Sequence, residues 1–180
     1  MRRFLLLVIA SAILVACAED PTPIAPATSP EPTVDPIVEA RVDIYESLTR
    51  ELVRQERVDW RRIVIASRLC GNAGDAEEAE GCDDALSAAE QDELARRLEG
   101  LAPRISFVED PTSLYDEQWF SGAPRMIVVR LGTIVERNDG VEVGGSFGCG
   151  GLCGSGTTYL LDEADDGWEV TGTTGPMWIA

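Results

Sequence analysis

The chain has neither histidine nor lysine. Its 15 basic residues are all arginine, set against 32 aspartates and glutamates in 180 residues. Without histidine there is no imidazole to act as general base or metal ligand, and the histidine-dependent catalytic triads are excluded. Without lysine there is no P-loop lysine and no Schiff-base amine. The formal charge of −17 makes nucleic acid a poor partner, because phosphate backbones are held by basic patches. Direct binding to anionic lipid headgroups is disfavoured for the same reason. No internal repeat is present.

What is there begins with the leader MRRFLLLVIASAILVAC. Arg2 and Arg3 form a basic start, and Phe4 to Val15 is an apolar run interrupted by Ser11. The run is short for a bilayer span and reads as a signal peptide. Its ending, Leu14-Val15-Ala16-Cys17, resembles the lipobox of bacterial lipoproteins. That resemblance implies cleavage after residue 16, a diacylglycerol on the thiol of Cys17, and a mature protein held at the cell membrane on its extracytoplasmic side. Two acyl chains suffice for stable anchoring, where one is marginal. Loss of Arg2 and Arg3 with the leader takes the charge from −17 to −19.

Residues 17–35 follow as a lipidated cysteine and a tether. Five of the ten prolines lie between Ala18 and Asp35, spaced by Thr, Ser and Ala. Such a segment cannot bury a core, and in extended form it reaches about 55 Å. From Pro36 to Ala180 the pattern is that of a single α+β domain. Asp35-Pro36 reads as a helix cap with proline in the first turn. Val38, Val42, Tyr45, Leu48 and Leu52 then make one helical stripe. Arg62 to Arg68 is a β-branched run, Ser87 to Glu90 is a capping box, and Gly100 closes the second helix. Arg104 to Asp110 reads as another strand, so strand, helix and strand suggest a βαβ unit. Beyond it, runs divided by Asn138-Asp139-Gly140 and Asp165-Asp166-Gly167 predict an antiparallel meander, since Asp-Gly favours tight hairpin turns. Trp168 with Val170, and Tyr159 with Leu161, are placed toward the core.

With Cys17 assigned to lipid, Cys70, Cys82, Cys149 and Cys153 are left, an even number in an exported chain, which reads as disulfides. Four cysteines allow three connectivities. The expected pairing is sequential, Cys70–Cys82 and Cys149–Cys153, with crossed pairing as the alternative. The C-x11-C and C-x3-C spacings fit poorly with zinc, which favours closer pairs, or with a C-x-x-C dithiol at a helix start. The glycines around Cys149 and Cys153 read as a tight, bulged loop between strands. As a nest of amides for an anion they would lack a nearby cation.

Asp75 to Asp84 and Asp162 to Asp166 are acidic but match no EF-hand spacing. Calcium is therefore a weak expectation, and both stretches read as solvated faces. Glycosidic chemistry needs two carboxyls across a cleft, and 32 acids nominate no particular pair. No catalytic, cofactor-binding or metal-ligating residue is assigned. The block Cys149 to Ala180 resembles the ending of small exported bacterial proteins that share a glycine-cysteine loop, a strand with an aromatic, a turn and G-W-x-V. It implies a structural ending more than an activity. The expected function is a lipid-anchored binding or interaction module for a protein or envelope-polymer ligand. A small envelope-acting hydrolase using Asp or Glu is the alternative.

Overall fold

Apolar stripes on two helices close one face of a mixed sheet. The computed structural model describes residues 36–71, 73–75, 81–115 and 125–180. Cys17, the tether and the cap expected at Asp35 lie outside them. Helix α1 (Pro36–Gln55) buries Val42, Tyr45, Leu48 and Leu52 completely, each contributing about 1.5–3 kcal/mol as its side chain leaves water. Strands β1 (Arg62–Ala66), β2 (Arg68–Leu69) and β3 (Asp84–Ala85) precede α2 (Ala88–Arg97). Then come β4 (Ile105–Val108), a 3-10 turn (Pro111–Leu114), and β5 (Met126–Arg137), β6 (Gly140–Gly150), β7 (Cys153–Ala164) and β8 (Gly167–Ile179). The fold class is α+β.

The main sheet runs β4-β1-β5-β6-β7-β8. Its first three strands are parallel and the rest antiparallel; β2 and β3 form a separate antiparallel pair. Side chains alternate across β1. Ile63 and Ile65 join the core under the helices, while Val64 meets Met126 and Val128 on the opposite face, with Leu114 and Tyr115 against them. At the start of α2 the Ser87 hydroxyl accepts from the Glu90 amide at 3.3 Å, and the Glu90 carboxylate accepts from the Ser87 amide at 2.7 Å. Arg41 of α1 reaches that same buried carboxylate at 2.8 Å, so one capping residue also joins the helices.

Three details depart from the sequence reading. The short strands β2 and β3 and the 3-10 turn were not expected. The run before Asn138 forms one strand of 12 residues, Met126–Arg137, with a register shift between Leu131 and Ile134. The glycine block around Cys149 is strand rather than loop: it supplies the ends of β6 and β7, paired from Gly145–Thr157 to Gly150–Cys153. The reason is packing. A Cβ on Gly145 would press on Leu48 and Leu52 of α1, and one on Gly144 would lie 3.1 Å from the Gly74 amide. Missing side chains let α1, Ala73 and Gly74 lie directly on the sheet.

Candidate functional site

An arginine opens strand β1 or stands immediately before β4 and β5, three adjacent parallel strands. Arg62 is paired with Met126, and Ile63 with Ile105, so Arg61 stands level with Arg125, and Arg62 with Arg104. Backbone bonds fix this end of the sheet: the Arg61 amide donates to Arg125 O at 2.9 Å and the Ile63 amide to Arg104 O at 2.9 Å. The turn from α2 into β4 (Gly100 to Pro103) and Ser113 of the 3-10 turn enclose the same space. Together they make an open cleft of about 1220 Å³. Its apolar lining includes Trp60, whose indole N–H donates to Val53 O at 3.4 Å, together with Leu101 and Met126.

The electrostatics of this cleft differ from the rest of the molecule. Arg41, Arg50, Arg54, Arg68, Arg96, Arg97 and Arg137 each pair with carboxylates. Among the described residues, none of the four cleft arginines forms an ion pair; the Arg62 guanidinium donates to Ser106 Oγ at 3.4 Å. Among the described residues the acid lining the cleft is Asp59. Arg125 also has a φ of 45°, a left-handed conformation that costs a non-glycine residue about 1 kcal/mol or more.

A second cleft, of about 900 Å³, lies between the start of α1 and the β5–β6 hairpin. It is rich in charge, and both of its arginines pair with carboxylates. Arg41 meets Asp84 at 3.2 Å, and Arg137 meets Asp162 at 2.6 Å and Asp139 at 3.4 Å. Tyr45 lines it with a phenol whose pKa burial pushes well above the ordinary range and whose hydroxyl donates to Gly132 O at 3.1 Å. The arrangement is that of a structural network.

No protein-family model matches the chain, and no curated protein or solved structure is significantly similar to it. Function must be argued from the site itself.

The cysteines named from sequence fall into two pairs at disulfide-bonding distance, Cys70 with Cys82 and Cys149 with Cys153, with Cα separations of 4.0 and 5.2 Å. They stand apart from the cleft's lining. Cys149 and Cys153 tie the β6–β7 hairpin at its tip, while Cys82 pairs with Cys70, whose amide donates to Leu131 O of β5. Of the acidic stretches, residues 76–80 are outside the described region, and Asp162 is engaged with Arg137. Among the described residues no three His, Cys, Asp or Glu side chains gather as a metal site. The arginine row escaped sequence reasoning. Its trace was there, an arginine just before each apolar run, but only parallel pairing in register makes those positions neighbours.

Proposed function

We propose that the chain is a lipid-anchored extracytoplasmic binding module, tethered through Cys17 and residues 18–35, that presents the arginine-lined cleft to a ligand. Helix α2 and the parallel strands β1 and β4 serve as its βαβ scaffold, and the antiparallel meander as its buttress. The observation that carries the binding reading is the group of cleft arginines that form no ion pair among the described residues, in a chain whose other described arginines are largely paired with acids. The anchor rests on the lipobox resemblance. Among the described residues no helix is long and apolar enough to cross a membrane; the anchor assigned to Cys17 requires none.

A hydrolase working through Asp or Glu is the weaker reading. It needs two carboxyls facing across a cleft, and the described lining of this one offers Asp59 alone. A proton-donating carboxyl also has a raised pKa, whereas Glu93 and Asp110 are pushed down. Hydrogen bonds from Arg96 and Arg97 lower Glu93 to about 2, and the backbone amide and hydroxyl of Thr112 lower Asp110.

Two measurements test the proposal. Metabolic labelling with a clickable palmitate should tag the full chain in the membrane fraction and lose the tag in Cys17→Ala; a tag retained in that variant would refute the anchor. Thermal melts against a panel of small anions, neutral sugars and peptides, with product analysis, should give a saturable shift without conversion. Turnover of any panel member would move the protein to the hydrolase class.

A further inference from the structure

We infer that the cleft takes a compact oxyanion bearing several phosphate or carboxylate groups. This rests on the cleft being the binding site, not on the lipid anchor. Guanidinium forks match phosphate and carboxylate oxygens bidentately. Neighbouring parallel strands lie about 4.8 Å apart, so Arg62 level with Arg104, and Arg61 level with Arg125, hold like charges side by side in two pairs, an arrangement that opposes folding unless something neutral or negative separates them. The chain has 32 acids with which to neutralise this row, yet the described residues provide no ion pair there, and Arg125 keeps its strained backbone in the same place. A bound anion removes the repulsion.

The charge of the whole molecule sets the size of the ligand. At −17 overall, the surface beyond the cleft repels anions, and at physiological salt the favourable field of the row fades within about 8 Å. A long polyanion would leave the cleft and run over acidic surface. A short one carrying two or three charged groups stays within the row. The apolar wall of Trp60, Leu101 and Met126 accommodates whatever carbon skeleton or ring carries those groups. Exposure of Arg61, Arg104 and Arg125 to solvent keeps each contact partly screened, so the affinity belongs to a reversible binder.

The test is calorimetric titration of the full chain in phosphatidylcholine nanodiscs with pyrophosphate, citrate, long-chain polyphosphate and a neutral oligosaccharide. Pyrophosphate or citrate should bind with an affinity that falls as salt rises. Arg104→Gln and Arg125→Gln should each weaken binding about tenfold, as loss of a charge-assisted bond requires. Arg104→Lys, which keeps the charge and loses the fork, should fall between. Arg68→Gln, the same charge change in β2 beyond the far end of β1, should bind like the parent. Binding of pyrophosphate alone would identify a phosphate ligand, and of citrate alone a carboxylate one. Tighter binding of polyphosphate than of pyrophosphate would overturn compactness. If the oligosaccharide binds, Arg104→Gln weakens it and neither small anion binds, the ligand class is wrong while the cleft stands as a site. If nothing binds, or the variants bind as the parent does, the site itself is refuted. Unchanged circular dichroism of each variant separates these outcomes from misfolding.

Discussion

Gly156 shows how little room the second face of the sheet leaves. A Cβ there would lie 2.7 Å from Gly74 O and 2.7 Å from the Ser146 Cβ, and closer still to the Trp178 indole nitrogen. Two of these atoms are fixed by the fold, since the indole N–H donates to Gly74 O at 3.0 Å. Gly156→Ala must push the loop off the sheet or break that bond. Overpacking of this kind costs about 3 kcal/mol, and we expect a thermal midpoint lower by roughly 10 °C for a domain of this size. Gly100 is the contrast. Its φ of 92° places it in the left-handed region, but nothing lies within 4 Å of its missing Cβ. Gly100→Ala therefore costs only backbone strain, about 1 kcal/mol.

At the scale of elements, the two helices are held together by charge as well as by apolar burial. Arg97 of α2 meets Glu93 at 2.7 Å, Glu46 at 3.6 Å and Glu39 at 3.8 Å, and it also contacts Asp43. Arg50 of α1 returns a bond to Arg97 O at 2.5 Å. Hydrogen bonds from Arg96 and Arg97 hold Glu93 down at about 2, against an ordinary 4.5. A carboxyl depressed on folding stabilises the native state above its unfolded pKa and loses that contribution as pH falls through the folded value. Glu93→Gln should therefore be less stable than the parent at neutral pH, with the gap closing between pH 4.5 and about 2. Urea midpoints of both proteins across that range check it, and a gap independent of pH would refute the linkage. Among the described residues strand β8 is an edge of the sheet with its own protection. Pro176 cannot donate, Gly175 turns at a φ of 72°, and two register shifts against β7 break the regular ladder that edge-to-edge pairing needs.

At the scale of the molecule, the sheet has one face covered by helices and one approached by Cys70, Ala73 and Gly74. The Cys70 amide donates to Leu131 O at 3.3 Å and the Gly71 amide to Gly81 O at 3.1 Å, so the Cys70–Cys82 link closes a segment already anchored at one end to β5. Closing a ring of 12 intervening bonds in sequence stabilises by about 3 kcal/mol in the chain-entropy account, and the shorter Cys149–Cys153 ring by about 2. Cys70→Ser/Cys82→Ser should lower the urea midpoint more than Cys149→Ser/Cys153→Ser, whose strands also hold each other through the hairpin ladder. The reverse order would mean that the hairpin tip, not the loop, limits unfolding.

The sequence by itself determined whatever depends on near neighbours. The stripe of α1, the Ser87–Glu90 capping box and the hairpin turns at Gly140 and Gly167 are decided within a few residues by side-chain spacing, orphan amides and positive φ, and these features were legible. The leader also carried its own reading, a resemblance held by four residues around Cys17. Only the tertiary structure decided that the glycines near Cys149 are strand, because what makes them strand is the close approach of Leu48, Gly74 and Trp178, all distant in the chain. It likewise decided the candidate site. Arg61, Arg62, Arg104 and Arg125 are ordinary one at a time, and they become two neighbouring pairs only when parallel register sets Arg62 beside Arg104 and Arg61 beside Arg125.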